Sequence, residues 1–105
     1  MHADILRHRE TLAALCRRHG VARLDVFGSA ARGADFDPAR SDVDLLVEFA
    51  PTTPRSFASL LAFEEEAAQA LARPVEVVER RAIEESENYI RCRCILAEAE
   101  ALFVA

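Results

Sequence analysis

The sequence has few of the residues that hold unusual or very small folds together. It contains three cysteines, three glycines and no tryptophan in 105 residues. The cysteines, at positions 16, 92 and 94, are odd in number and have no second ligand pair, so neither a disulfide framework nor a four-ligand zinc site is expected. We therefore expect reduced thiols and a fold that depends on its apolar core.

The chain also lacks an excess of positive charge. Its 13 lysines and arginines face 18 aspartates and glutamates, for a formal net charge of -5. Tight, non-specific binding to nucleic acid requires a basic surface, so no direct nucleic-acid binding is expected. A small nucleotide stays compatible with this charge, because a metal ion can mediate its contact with carboxylates.

Long apolar segments are absent as well. The first four residues carry no apolar stretch after a basic start, and no apolar run is long enough to span a bilayer. These features predict a cytoplasmic protein without membrane contact. With 105 residues, of which 51% are hydrophobic, we expect residues 1–105 to form a single domain with a real but small core.

The apolar periodicity predicts the order helix, strand, short helix, strand, helix, strand, helix. The predicted segments are a helix over 3–19, a strand over 21–27, a short helix from 29, a strand over 42–49, a helix over 56–72, a strand over 75–78 and a closing helix from 81 to about 103. Strands that alternate with helices predict an α/β (α+β) fold, a small mixed β-sheet with helices packed on one face.

Two aspartates, Asp42 and Asp44, open the second predicted strand. A spacing of two on a strand places both side chains on the same face. Two carboxylates so placed repel each other unless a cation lies between them, and Mg²⁺ binds through one or two carboxylates, waters and phosphate oxygens. The pair is therefore interpreted as a binding site for a Mg²⁺-nucleotide. The alternative is a solvated strand end whose aspartates only cap a turn.

Gly28 and Ser29 follow the first predicted strand. A glycine lets the backbone approach a phosphate, and a serine at a helix N-terminus offers its hydroxyl and nearby N–H groups where the helix dipole favours negative charge. Taken alone, the two residues also fit an ordinary strand-to-helix turn with a serine cap. Arg32, one turn further along, either adds positive charge near the phosphates or is a plain surface arginine. Together with the aspartates, the pair predicts an anion-binding turn beside a cation-binding pair.

A third carboxylate would complete a two-metal arrangement. Glu76 is the candidate, because it alternates with Val75 and Val77 and so projects to the face opposite those valines. Glu79 would take this place if the register were shifted. Glu48 shares the face of the aspartates but lies further along the strand, and it is interpreted as structural.

Gly28-Ser29 and the segment 41–49 resemble the signature of the polymerase β-like nucleotidyltransferase superfamily, and more narrowly of the minimal nucleotidyltransferases (the MNT or MntA antitoxins). The resemblance covers nearly the whole chain. It implies transfer of a nucleoside monophosphate from a Mg²⁺-bound nucleoside triphosphate to an acceptor hydroxyl. The residues that it implies are Gly28, Ser29 and Arg32 for the nucleotide, and Asp42, Asp44 and Glu76 for catalysis and the metal.

The resemblance also implies a protein partner. Members of this group are usually encoded beside a HEPN-domain RNase toxin and adenylylate a tyrosine on it. We therefore expect an antitoxin that transfers AMP from Mg-ATP to a tyrosine hydroxyl of a HEPN partner, in a hetero-oligomer. Two alternatives stay open, an antitoxin that neutralises by binding alone and a stand-alone nucleotidyltransferase that acts on another acceptor.

The chain departs from the family pattern in two places. Residues 30–41 form a gap slightly longer than the family commonly has, which is tolerable because loop length is weakly constrained. Glu76 stands where the family usually carries an aspartate. The additional methylene displaces the carboxylate by roughly 1 Å, and a misplacement of that size can cost on the order of 10²-fold in rate.

Overall fold

The computed structural model describes residues 3–28, 42–53, 56–85 and 89–105. The helices in these ranges are α1 (Ala3–Arg7), α2 (Arg9–His19), α3 (Phe57–Leu71), α4 (Arg80–Glu84) and α5 (Tyr89–Glu98). The strands are β1 (Val21–Phe27), β2 (Val43–Phe49), β3 (Val75–Glu79) and β4 (Glu100–Val104). The short helix predicted from Ser29 lies outside the described residues. No helix in the described part of the chain is long and apolar enough to cross a membrane.

The strands form one mixed sheet in the order β3-β2-β1-β4. β1 is antiparallel to both β2 and β4, whereas β2 and β3 are parallel. Parallel neighbours need a crossover, and α3 supplies it between β2 and β3. The predicted class, a small mixed sheet with helices, is confirmed.

Local signals set the ends of the two longer helices. α2 stops at Gly20, which adopts a left-handed conformation with φ of 71° and donates its N–H to the Cys16 carbonyl. α3 begins after Ser56, whose hydroxyl accepts a hydrogen bond from the Ser59 N–H at 3.1 Å. These caps fix where α2 ends and where α3 begins.

The larger hydrophobic core lies between one face of the sheet and the helices α2 and α3. Val43, Leu45 and Val47 alternate along β2 and all point into it. Its other large buried members include Ile5, Leu12, Leu24, Val26, Phe63 and Leu71. This layer is apolar throughout and carries most of the buried surface.

A smaller cluster covers part of the opposite face, so the helices do not pack on one face only as predicted. It joins Phe27 and Leu46 of the sheet to Ile83 of α4 and Ile95 of α5. Leu46 alternates with Leu45 and Val47, which places it on the side away from the larger core. The one-face prediction holds for α2 and α3 and is wrong for α4 and α5.

The predicted closing helix over 81–103 is also wrong. The chain forms two short helices in this region and then the strand β4, which pairs with β1. Residues 100–104 leave the helical pattern because the free edge of β1 offers them backbone hydrogen bonds, and Leu102 enters the larger core there. A tertiary contact therefore overrides a local helical preference.

Candidate active site

The three predicted carboxylates lie on one side of the sheet. Asp42 immediately precedes β2 and is exposed, Asp44 is half-buried, and Glu76 is exposed on β3. Val43 points into the larger core, so its two aspartate neighbours project to the other face. The parallel register aligns Asp44 with Glu76 on the adjacent strand. The polar end of β2 thus brings together the residues that the sequence pattern singled out.

The start of β3 is attached directly beside the aspartates. The Val43 N–H donates a hydrogen bond to the Pro74 carbonyl at 3.1 Å. The same register places Glu79 opposite Val47, which belongs to the larger core. Glu79 is therefore on the wrong face for a third carboxylate, and the alignment selects Glu76.

Gly28 borders the carboxylate of Asp44. Its φ is 71°, a left-handed conformation that favours glycine. A Cβ placed on Gly28 would lie 2.5 Å from Oδ2 of Asp44, much closer than non-bonded atoms approach. The position needs a glycine for both reasons, because the turn after β1 and the carboxylate at the start of β2 occupy neighbouring space.

The remaining two predicted nucleotide-binding residues, Ser29 and Arg32, lie outside the described residues. Their part in binding phosphate stays a prediction from the sequence. Gly28 connects them to the site, since Phe27 pairs with Asp44 across the antiparallel ladder.

The face that carries the carboxylates is closed further along. Leu46 is buried there under Ile83 and Ile95 of the smaller cluster. Glu48, at the next position on that face, is exposed and pairs in register with Arg23. Among the described residues, this face is therefore covered around Leu46, while Asp42 is exposed and Asp44 half-buried at the start of β2.

The donor set suits a metal that arrives with its nucleotide. Among the described residues, no three His, Cys, Asp or Glu side chains come close enough together to hold a metal ion by themselves. Asp42, Asp44 and Glu76 therefore do not form a preassembled three-carboxylate centre. Mg²⁺ does not require one, since it binds through one or two carboxylates together with waters and phosphate oxygens.

A cavity opens at the opposite end of β2. Its volume is about 400 Å³, and Phe49, Glu79 and Arg80 are among the residues that line it. None of the three predicted carboxylates contributes to its walls. Its size alone therefore does not mark it as the site of the chemistry.

A buried ion pair that the sequence pattern did not reveal lies on the same face of the sheet as Asp44, further along the strands. Asp25 of β1 is fully buried and accepts hydrogen bonds from Nε of Arg23, at 2.9 Å, and from the guanidinium of Arg80. The hydrogen bond from Arg23 to Asp25 raises the pKa of Arg23. Asp25 is a carboxylate between the buried apolar residues Leu24 and Val26 of β1, the kind of signal that identified Glu76 between Val75 and Val77 on β3.

Comparisons with known proteins show the family and agree with the fold. A family model described as the nucleotidyltransferase domain matches residues 8–95. The structure of a protein described as a minimal nucleotidyltransferase is 33% identical, with a TM-score of 0.71 and coverage of 95% of both chains. A search of functionally curated proteins gave no match.

Two more distant structures share the fold. One is a toxin-antitoxin crystal structure with AMP-PNP, in which the matching chain has 21% identity, a TM-score of 0.70 and coverage of 92% of this chain and 73% of that chain. The other is a complex of a tri-AMPylated HEPN toxin from Shewanella oneidensis with its MNT antitoxin. Its matching chain has 19% identity, a TM-score of 0.65 and coverage of 94% and 71%.

Proposed function

The chain belongs to the nucleotidyltransferase family, among its minimal members, and we propose that it transfers AMP from Mg-ATP to a tyrosine hydroxyl of a HEPN-domain toxin and thereby neutralises the toxin. The observation that carries this proposal is the alignment of Glu76 with Asp44 on adjacent parallel strands, next to the glycine turn at Gly28. The HEPN partner is proposed by likeness to the toxin-antitoxin complexes that share the fold.

The nucleotide would bind at the end of the sheet that carries Asp42 and Asp44. Asp42 and Asp44 would hold Mg²⁺ together with the phosphate oxygens, and the bound ion would neutralise charge on the leaving pyrophosphate. The glycine at position 28 leaves room for a phosphate against the backbone, and Ser29 and Arg32 would supply donors from the turn that follows. ATP and Mg²⁺ therefore bind as one unit.

The transfer step needs a proton acceptor near the incoming hydroxyl. The tyrosine oxygen would form a bond to the α-phosphorus while the bond from that phosphorus to the bridging oxygen of the β-phosphate breaks, which releases pyrophosphate. Glu76, which the family resemblance also implies as a metal ligand, would accept the tyrosine proton, and because it is exposed it could pass that proton to water. A glutamate reaches further from its strand than an aspartate, so a partner must present its tyrosine slightly further from β3.

The direct test is transfer of label from ATP to the partner. The purified chain is incubated with ATP labelled at the α-phosphate, Mg²⁺ and the HEPN product of the neighbouring gene. We expect label on the toxin, loss of its RNase activity, and no labelling of a toxin whose acceptor tyrosine is changed to phenylalanine. Absence of label on the wild-type toxin contradicts the proposal.

Matched variants test whether AMP transfer depends on the carboxylates of the candidate site or on any carboxylate of the strand. Asp42→Asn with Asp44→Asn should abolish transfer, and Glu76→Gln should lower it by on the order of 10²-fold or more, the usual contribution of a general base. Glu48→Gln removes a carboxylate from the same strand and face at an exposed position, and it should leave transfer unchanged. Equal losses in the Glu48 and Asp42/Asp44 variants would exclude a localised site.

A second candidate function is neutralisation by binding alone. Glu76 in place of the usual aspartate and the lack of a preassembled carboxylate cluster in the described residues favour it. Co-expression in cells distinguishes the two functions. If the Asp42→Ala/Asp44→Ala variant still rescues growth against the toxin at normal expression, binding suffices, whereas loss of rescue with retained complex formation supports catalysis.

A further inference from the structure

The buried ion pair of Asp25 and Arg80 is poorly suited to stabilise the fold. Among the described residues, Asp25 is the one charged side chain that is fully buried, and the Arg80 side chain bonded to it is 16% exposed. Nε of Arg80 is buried without a hydrogen-bond partner in the same ranges of the chain. A buried pair with an unsatisfied donor is a poor source of stability, since an apolar pair of similar volume often serves as well or better.

The pair connects the two strands on either side of β2. Asp25 lies in register with Leu46 on β2, and Leu46 lies in register with Val78 on β3. Arg80 is the first residue of α4, directly after β3 ends at Glu79. The Arg80 side chain therefore crosses β2 on the face of the carboxylates and joins the end of β3 to β1.

The connection lies close to the carboxylates. Asp25 is two residues from Phe27, which is aligned with Asp44, so it is about 7 Å further along the sheet, from the rise of a strand. Arg80 follows Glu76 by four residues on the same segment. The pair thus ties the strand that carries Glu76 to the strand that ends in Gly28.

β3 needs such a connection. In the described sheet it is an edge strand of five residues, paired on one side by β2. Glu76 is exposed and carries one methylene more than the family's usual aspartate, so its carboxylate depends on the strand for its position. We propose that Asp25 and Arg80 are positioning residues, which hold β3 so that Glu76 stays alongside Asp44. This inference rests on the proposed function of Glu76.

The first test replaces both partners so that no buried charge is left alone. Asp25→Asn with Arg80→Gln should lower kcat for AMP transfer by roughly 10- to 100-fold, the size expected from misplacing one catalytic group. The KM for ATP should rise several-fold at most, because Gly28, Asp42 and Asp44 are untouched and only the contribution of Glu76 to metal binding is lost. Arg81→Gln is the matched control, since Arg81 is adjacent, 60% exposed and bonded to Glu85. It should behave as the wild type.

The second test does not need AMP transfer. Binding of Mn²⁺ with a non-hydrolysable ATP analogue is measured by electron paramagnetic resonance for the wild type, Glu76→Gln, the paired Asp25/Arg80 variant and the combination. We expect Glu76→Gln to weaken Mn²⁺ binding several-fold in the wild type and to have little further effect in the paired variant. The two changes would then be non-additive, as expected for residues that act together. Equal effects of Glu76→Gln in both backgrounds, or none in the wild type, overturn the proposal.

Two further measurements keep these outcomes apart. If the wild-type protein binds Mn²⁺ and nucleotide but transfers no AMP, the proposed function is contradicted. The comparison of Mn²⁺ binding among the wild type and the three variants still decides whether Asp25 and Arg80 position Glu76. Arg80→Lys keeps the charge beside Asp25 and should fold even if the paired variant does not. It should lower kcat less than the paired variant does. A rise in KM with kcat unchanged would also overturn the proposal.

Discussion

The two faces of the sheet use the same strands for different purposes. Toward α2 and α3, β2 presents Val43, Leu45 and Val47, all buried in an apolar core. On the other face the same strand presents Asp44, Leu46 and Glu48, of which Leu46 alone is fully buried. Stability is concentrated on the first face, and charge is concentrated on the second.

The difference explains how a small domain can hold an open carboxylate site. The apolar face buries enough surface to order the strands, so the polar face needs only a small cluster around Leu46 and Ile83. Carboxylates can then stay exposed beside each other without help from the core.

The largest effect is expected from a large aromatic residue of the apolar face. Phe63 is fully buried in the larger core, and Phe63→Ala should lower the free energy of unfolding by about 3–5 kcal/mol. Phe57→Ala is the control on the same helix, because Phe57 is 74% exposed and should change stability by less than about 0.5 kcal/mol. Urea denaturation measures both, and similar costs would contradict the assignment of the core.

The next largest effect on stability is expected from the two glycines that flank β1. Gly20 and Gly28 both have φ of 71°, so an alanine at either should cost about 1–3 kcal/mol of backbone strain. Only Gly28 lies against Asp44, whereas Gly20 lies against Thr53. Gly28→Ala should therefore also lose affinity for a fluorescent ATP analogue in Mg²⁺. If Gly20→Ala loses as much affinity, the effect is a general one of folding.

A smaller effect depends on pH. Burial raises the pKa of Cys16, in the apolar core, from 9.0 to about 12. Above pH 9 the unfolded chain loses this proton while the folded chain keeps it, so stability should fall by about 1.4 kcal/mol per pH unit as pH rises. Urea denaturation between pH 8 and pH 10.5 measures the slope. Cys16→Ala should show a shallower slope, and identical slopes would contradict burial of the thiol.

The smallest effect on stability is expected at the site itself. Asp42→Asn and Glu76→Gln alter exposed side chains on the polar face, so each should change the free energy of unfolding by less than about 0.5 kcal/mol. The same variants should lose AMP transfer. A loss above about 1 kcal/mol in either would mean that these carboxylates hold the fold instead of a ligand.

Much of the site was predictable because its signals are local. The strand period of two placed Asp42 and Asp44 on one face, and the same alternation singled out Glu76. α2 ends at His19, where the helix predicted over 3–19 ends.

The features that the sequence did not predict correctly depend on contacts between distant parts of the chain. Residues 100–104 form β4 because the edge of β1 is available for pairing, which no helical or strand pattern within that segment reveals. The helices α4 and α5 cover the second face because Leu46 and Phe27 are apolar there. The pairing of Arg80 with Asp25 joins residues 55 positions apart. Such contacts depend on the finished sheet.

The sequence by itself determined that Asp42 and Asp44 share one face at the start of β2, because side-chain alternation is a property of the local backbone. Only the tertiary structure decided that Glu76, and not Glu79, stands beside Asp44. That choice depends on strand register, which the Val43 to Pro74 hydrogen bond and the packing of Val47 establish. It also decided what lies next to the candidate site, since the buried ion pair of Asp25 and Arg80 across three strands exists only once those strands are assembled.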